Sequence, residues 1–411
     1  MRSTDGPLTK LTGVPTDDDA RATATTHRGP EVSVPTAVVG MVGGGQLARM
    51  TQQAAIGLGI ELQVLTAHDW DPAVLAGARF VPGDPDDLDA LLALAKGSDV
   101  VTFDHEHVPN AHLRALIDAG HVVRPGPAAK LLAQDKSVAR RVLGDAGITI
   151  PAFVDAAPGD VAAAARFGEA NGWPIVVKAP MGGYDGRGVH VVASPAEMED
   201  RPDLHAYDRW LLEAHVDIAV ELAVLVARRP NGQSVTYPVV ETVQRDGICR
   251  ELVMPARIPD DVATRAEELA ATIAERIGAT GILAVELFVT RGGDLVVNEL
   301  AARPHNSGHA TIEGTTTSQF ENHLRSVLDW PLGAPTLLAP AAATVNLLGP
   351  AEPVDLTRTV QHALEDPTVH LHLYAKAYAP GRKLGHVTVL ADDPEAALGA
   401  ARAAAEALLL P

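Results

Sequence analysis

The apolar run from Thr36 to Val42 passes directly into Gly43-Gly44-Gly45 and then into QLARMTQQAA, so strand, glycine turn and helix follow without a break. A strand that feeds a helix this abruptly returns to its own sheet by a right-handed crossover, which selects a parallel α/β arrangement. A second strand follows at IELQVLTA, and another apolar segment, Asp99 to Phe103, precedes DHEHVP. The rhythm predicts a doubly wound parallel sheet over residues 36–127, with RPGPAAK, around Pro125 and Pro127, as the linker to the next domain. Residues 1–35 are rich in Thr, Asp, Pro, Gly and Arg without apolar periodicity, and are expected to be a disordered extension.

Beyond Leu131 the texture changes. The helix KSVARRVLGDAG stops at Gly147, and the strand PIVVKAP runs through GGYDGRG into the strand VHVVAS. In RWLLEAHVDIAVELAVLVARR, Ile218, Val220, Leu222, Val224 and Val226 alternate with Ala219, Glu221, Ala223 and Leu225, the period of a strand. A helix over about 260–277, a hairpin, ARPHNSGH and the helix SQFENHLRSVLDW complete a second domain, 128–330. Residues 333–411 are expected to form a small mixed domain, which makes the fold class α/β, in part α+β.

With 33 Lys+Arg against 52 Asp+Glu the chain carries a net charge of −19, which repels nucleic acid and anionic membranes as partners. An anionic ligand must then be met by a local cluster of cations. One cysteine, Cys249, excludes an internal disulfide and a thiolate zinc cage. The chain shows no apolar run of about 18 residues and no signal-peptide pattern, so a cytoplasmic enzyme is expected.

Five motifs carry chemistry. Gly43-Gly44-Gly45-Gln46-Leu47-Ala48 formally satisfies the dinucleotide fingerprint, but the acid expected at the end of the second strand is missing, where the chain reads Leu65-Thr66-Ala67. A nicotinamide or flavin site, a turn for another phosphate ligand and a packing turn all remain open. Lys178 ends a strand just before GGYDGRG, whose glycine N–H groups suit phosphate oxygens; with a strand instead of a helix behind it this is not a Walker A loop, and the hairpin context favours a movable lid over a flexible tip with a solvated lysine. In ILAVELFVTRGGDLVVNELAARP, a two-residue Gly292-Gly293 turn pairs Arg291 with Asp294 and sets Glu286 across from Glu299. Opposed carboxylates repel unless a divalent cation joins them, and Asn298 is a further oxygen donor. Arg303, in the turn Arg303-Pro304-His305-Asn306-Ser307-Gly308-His309, is suited to an anion, and Lys376 with Arg382 and Lys383 to a phosphomonoester, although a patch of this kind taken alone is by default a solvated basic loop. His105 and His107 flank Glu106 without a zinc-binding spacing, and Cys249 has no base beside it.

Together the lid lysine, GGYDGRG, the glutamate pair and ARPHNSGH resemble the ATP-grasp superfamily. More narrowly, GGGQLARM, GGYDGRG, NELAARPHNSGHATIE, SQFENHLRSVL and PGRKLGH resemble the 5-(carboxyamino)imidazole ribonucleotide synthases of purine biosynthesis, in order from about Thr36 to near the carboxyl end. The resemblance implies an ATP-grasp architecture, with a preATP-grasp domain before it and a small domain after it. It implies ATP- and bicarbonate-dependent carboxylation of the exocyclic amine of 5-aminoimidazole ribonucleotide, with Mg2+, or Mn2+ in its place. Lys136 and Lys178 then correspond to the cations on the ATP phosphates. Gly182, Gly183, Tyr184, Asp185, Gly186, Arg187 and Gly188 correspond to the lid, with Asp185 also approaching the imidazole. Glu213, Ala214, His215 and Val216 match the adenine hinge, Glu221 the ribose contact, and Gln244 a position near the nucleotide where such proteins often carry histidine. Glu286, Glu299 and Asn298 match the metal ligands; Arg303, His305 and Asn306 match the bicarbonate and phosphoryl-transfer site. Gln46, Lys376, Arg382 and Lys383 match the anchors of the ribonucleotide. The HEH at 105–107 departs from a family pattern in which an aromatic commonly precedes the glutamate. The resemblance also implies a homodimer that passes its product to the mutase of the same pathway. The alternatives are another ATP-grasp ligase, such as the formate-dependent glycinamide ribonucleotide transformylase, a dinucleotide-dependent oxidoreductase using GGGQLA, and a non-catalytic nucleotide sensor.

Overall fold

The computed structural model describes residues 37–183 and 188–409, so the amino-terminal extension lies outside the described residues. Four parallel strands, Val38–Val42 (β1), Glu61–Thr66 (β2), Arg79–Pro82 (β3) and Val100–Phe103 (β4), form the first sheet in the order β3-β2-β1-β4. β1 is apolar along its length because both faces are covered. Val39 and Met41 pack with Leu62, Val64 and, from far along the chain, Leu324 and Val327. On the other face Val42 packs with Leu65, Leu94, Val101 and Phe103. The segment expected to be a linker is instead the start of a helix, Pro127–Gln134, with Gly126 at its N-cap. Proline lacks only an N–H that the first turn leaves unpaired, so Pro127 opens the helix.

Phe153–Ala156 (β5), Ile175–Lys178 (β6), Val189–Val192 (β7) and Trp210–Ala214 (β8) form a second, antiparallel sheet in the order β5-β8-β6-β7. Its core gathers Ile175, Val177, Trp210 and Leu212 with Ala164 and Phe167 of the helix Val161–Asn171. The lysine of the lid motif therefore ends β6, and β7 is the return strand of the hairpin.

The third sheet has nine strands: Ile218–Arg228 (β9), Ser234–Thr236 (β10), Val240–Arg245 (β11), Ile248–Met254 (β12), Gly281–Thr290 (β13), Leu295–Ala301 (β14), Ala341–Leu348 (β15), Val369–Leu373 (β16) and Lys383–Ala391 (β17). The order is β14-β13-β9-β11-β12-β15-β17-β16, with β10 beside β9. The alternation read along β9 is real. Leu222, Val224 and Val226 pack against Ala266, Ala270 and Ile273 of the helix Asp260–Arg276, and Leu225 and Ala227 pack on the other side with Tyr237 and Ile282. The carboxyl-terminal strands do not form a sheet of their own, since Glu251 to Met254 of β12 pair with Ala342 to Val345 of β15. Backbone groups left open on the edge of β12 are satisfied by extending the same sheet. Among the described residues, no helix is long and apolar enough to cross a membrane.

Candidate active site

The hairpin β13–β14 sets the centre of the site. Thr290 N–H donates to Asp294 O at 2.9 Å, and Gly293, at φ +85°, closes a three-residue loop, Arg291-Gly292-Gly293. A left-handed residue is what a three-residue hairpin loop of this kind needs, and glycine takes it without strain. Leu287, Phe288 and Val289 consequently face Val297, Val296 and Leu295, one residue away from the pairing that a two-residue turn predicts. A β-bulge between Glu286 and Leu287 cancels the offset, with Asn298 as the extra residue, and Glu286 faces Glu299 after all. The predicted Arg291–Asp294 pair does not form; Arg291 Nε instead donates to Asp217 Oδ1 at 3.0 Å. The bulge has a chemical consequence. Neighbours on a regular strand point to opposite faces, but here Asn298 and Glu299 both line the cavity, and Asn298 Nδ2 donates to Glu286 Oε2 at 3.3 Å.

Cations converge on this pair from two other elements. Lys136 opens the helix Lys136–Asp145, N-capped by Asp135, and its Nζ donates to Glu299 Oε1 at 2.8 Å. Lys178, at the end of β6, donates to Asn298 Oδ1 at 3.1 Å and pairs with Glu213 Oε2 at 2.7 Å. Arg140 pairs with the other oxygen, Glu213 Oε1, at 2.7 Å, and donates to Asn298 O at 2.7 Å. Burial would raise the Glu213 carboxyl, but Lys178 and Arg140 outweigh it and hold the group low. Burial pushes the Lys178 ammonium down. At Glu286 burial acts first, with the charges of Glu299 and Glu221 adding to it, and the carboxyl is raised to about 7. Burial also raises Glu221, on β9, to about 7. All-oxygen donors that resist ionising side by side fit a hard divalent cation. Among the described residues no group of three or more His, Cys, Asp or Glu surrounds one point, so such an ion would draw its remaining ligands from the substrate or water.

The loop after β14 brings Arg303, His305 and Asn306 to the same cavity. Arg303 Nε lies 2.8 Å from Glu106 Oε1, in the loop that follows β4. His305 Nδ1 is 2.9 Å from Ser307 Oγ, and its Nε2 is 3.6 Å from Glu286 Oε1. Burial, with Arg303 and Lys383 nearby, pushes the His305 imidazole down to about 3, so it meets Glu286 as a neutral ring. Asn306 has both side-chain polar atoms out of solvent and without a hydrogen-bond partner, as expected of a group that waits for a ligand.

The glycine turn after β1 closes the opposite wall. Asp104 Oδ2 accepts the Gly45 N–H at 2.8 Å. A Cβ on Gly43 would sit 1.7 Å from Asp104 Oδ1, so the turn is shaped around a carboxylate of its own chain. The Gly45 N–H, which a dinucleotide's pyrophosphate would need, is therefore already taken by Asp104, and this argues against the oxidoreductase alternative. Gln46 follows at the first position of the helix Gln46–Leu58, and its Oε1 accepts from Lys376 Nζ.

Gln46, Asp104, Glu106, Lys136, Lys178, Glu213, Glu221, Glu286, Asn298, Glu299, Arg303, His305 and Asn306 border one cavity of about 1060 Å³. Three domain families match the chain in order: a ribonucleotide synthetase preATP-grasp domain at residues 36–134, an ATP-grasp domain at 141–320 and a phosphoribosylaminoimidazole carboxylase C-terminal domain at 342–399. The N5-carboxyaminoimidazole ribonucleotide synthase of Mycobacterium tuberculosis is 48% identical over 363 residues, spanning 87% of this chain and 84% of the relative. The chain belongs to the N5-carboxyaminoimidazole ribonucleotide synthase family. Two solved structures from Aspergillus clavatus are similar throughout. One, an N5-carboxyaminoimidazole synthase with ADP and 5-aminoimidazole ribonucleotide, has a TM-score of 0.85 at 32% identity and covers 91% of this chain and 98% of its own. The other, a synthase with ATP, has a TM-score of 0.85 at 34% identity with the same coverage, 91% and 98%.

For a member of this synthase family, most of the expected site residues line the one cavity. These are Gln46, Lys136, Lys178, Gly182, Gly183, Glu213, Ala214, His215, Val216, Glu221, Gln244, Glu286, Asn298, Glu299, Arg303, His305, Asn306 and Lys383. Lys376 reaches it through Gln46. Arg382 is not drawn in: it is exposed, its Nη1 donating to Ala377 O at 2.9 Å. Gly188 stands at the lid base, its O accepting from Ala179 N–H at 2.8 Å, while Tyr184, Asp185, Gly186 and Arg187 lie outside the described residues. Glu213, expected in the adenine hinge, also contributes a buried carboxylate to Lys178 and Arg140. Asp104, Glu106 and Arg140 were not assigned roles from sequence. DHEHVP follows the carboxyl end of a parallel strand, where ligands of such sheets bind, and that position was the available signal.

Proposed function

We propose that the chain carboxylates the exocyclic amine of 5-aminoimidazole ribonucleotide at the expense of ATP and bicarbonate, releasing ADP, phosphate and the N5-carboxy product. One observation carries this: a single cavity joins two lysines suited to phosphates, an opposed carboxylate pair, and an arginine loop next to the basic turn of Lys376 and Lys383.

ATP lies between the β5–β8 sheet and the large sheet, with adenine against Val176, Val191, Ile218 and Phe288 and the hinge at His215 and Val216. Lys136 and Lys178 turn to the phosphates, and Glu221 takes the ribose. Glu286 and Glu299, with Asn298, would hold a Mg2+ ion, which would supply positive charge against the phosphates. Bicarbonate, held by Arg303, His305 and Asn306, attacks the γ-phosphorus, and the bond to the bridging oxygen breaks to release ADP. The resulting carboxyphosphate yields carbon dioxide and phosphate; the amine nitrogen takes the carboxyl carbon and its proton passes to phosphate. Glu106 orients Arg303, whose fixed charge stabilises the transferring group. Gln46, Lys376 and Lys383 hold the ribonucleotide's phosphate, with Arg382 at the same turn. The three-domain division at 36–127, 128–330 and 333–411, a homodimer, a cytoplasmic location and transfer of product to the pathway's mutase belong to the same proposal, supported by family membership.

ADP release by the purified chain with Mg2+-ATP is the test. Strong stimulation by the ribonucleotide that also requires bicarbonate is the expected result, and turnover indifferent to the ribonucleotide would reassign the acceptor.

A further inference from the structure

Between β16 and β17 the backbone does something that an L-residue disfavours. Ala375 sits at φ +55°, in the left-handed region, although the residue is exposed. Its neighbours hold it. Tyr374 is 1% exposed and packs with Leu47, Met50 and Phe320. Its N–H donates to Leu384 O at 2.9 Å, and its hydroxyl lies 2.7 Å from His386 Nδ1. His386 is itself stacked between His309 and His372, with ring centroids 4.7 and 4.5 Å away. His309 ends the loop that carries Arg303, His305 and Asn306, and His372 Nε2 is 2.6 Å from Glu313 Oε1. On the far side of the kink, Lys376 folds back with Nζ 5.9 Å from the Tyr374 ring centroid and donates to Gln46.

We propose that Tyr374 and Ala375 are positioning residues for Lys376. The buried tyrosine, clamped to His386, and the left-handed alanine turn the chain so that the lysine is aimed at Gln46 and at the substrate phosphate. An extended residue at 375 would carry the strand onward and take the ammonium away from the helix start that holds Gln46. The ring stack then couples the position of this lysine to the Arg303 loop. The inference rests on reading Lys376 as an anchor of the ribonucleotide phosphate.

Steady-state kinetics and melting temperatures of the full chain test it with three variants, Lys376→Met, Ala375→Gly and Tyr374→Phe. Lys376→Met is expected to raise the KM for the ribonucleotide about tenfold or more. Ala375→Gly frees the backbone where glycine is at ease, so its melting temperature should hold or rise while that KM rises about fivefold and the KM for ATP stays within about twofold. Tyr374→Phe keeps the ring, loses the clamp on His386, and should shift the same KM in the same direction. If Lys376→Met leaves the KM unchanged, the anchor and the inference fall together. If it raises the KM but neither other variant does, the anchor stands and the positioning role is overturned. Equal losses toward both substrates with a lowered melting temperature would likewise overturn it, as a merely structural role.

Discussion

Lys178 and Glu213 form an ion pair at 2.7 Å in which the two side chains are only 8% and 2% exposed. Glu213 gives its second oxygen to Arg140, so one carboxylate serves two buried cations at the end of β6, on the wall of the cavity. Such a group holds Lys178, the lysine proposed to meet the ATP phosphates, in place, and its removal strands charge that burial makes costly.

Glu213→Gln should therefore lose about 3 kcal/mol of stability, because it leaves buried cations without a counter-charge. Lys178 should also titrate lower still, since burial already depresses it and its main opposing charge is gone. Denaturant unfolding together with an ATP titration checks this; wild-type stability and affinity in the variant would show the pair to be incidental.

Glu299→Gln breaks the opposition across β13 and β14. Turnover at ordinary Mg2+ should fall by about a hundredfold or more, with partial recovery as Mg2+ is raised. Without metal, the Glu286 carboxyl should come down from about 7, because one of the charges that raises it is removed while burial remains. Near-normal activity at low Mg2+ would refute the ligand assignment.

His323 gives a pH prediction away from the cavity. Its Nδ1 accepts from Ile282 N–H at 3.2 Å and its Nε2 lies 2.9 Å from Thr102 Oγ1, joining β13 to β4 through a neutral ring. Burial pushes the imidazole down to about 3 from its ordinary 6.5. The unfolded chain therefore takes up a proton below about 6.5 that the folded chain refuses, and the stability contributed by the neutral ring is lost as pH falls from 6.5 toward 3. His323→Gln should be less stable than the parent at pH 7.5, and the gap should narrow by up to about 1.4 kcal/mol per pH unit on acidification. A gap constant from pH 7.5 to 5 would contradict the assignment.

Gly43→Ala should be among the most damaging changes in the first sheet. The position has φ +105°, and the new methyl would meet Asp104 Oδ1 at 1.7 Å. A loss of more than about 2 kcal/mol is expected, with a fall in activity as Asp104, Glu106 and then Arg303 are displaced. Calorimetry on the variant, and a titration of the parent with NADH that shows no binding, test the two halves of the statement.

The hairpin shows how far sequence reading reaches. The opposition of Glu286 and Glu299 was legible, yet by two errors of one residue that cancel: the turn holds three residues where two were expected, and Asn298 bulges. Turn length follows from local backbone preference and glycine at 293 was visible, but a bulge is stabilised by what sits on either side of the strand. Here that is Lys178 and Arg140, which grip the side chain and the carbonyl of Asn298. The misread linker at Pro127 is the reverse case, a local signal with two meanings that only the following helix resolved.

The chain's own letters determined the β–α rhythm of the first sheet, the alternation of β9, the lid lysine at a strand end and the residue types of the cavity, because periodicity and turn chemistry act over a few neighbouring residues. Tertiary structure decided which charges meet. Lys136 finds Glu299 across 163 residues, Arg303 finds Glu106 in the loop after β4, and the carboxyl-terminal strands join the central sheet. Such pairings depend on which backbone edges and which buried charges must be satisfied once the sheets are packed, and no local pattern in the sequence carries that information.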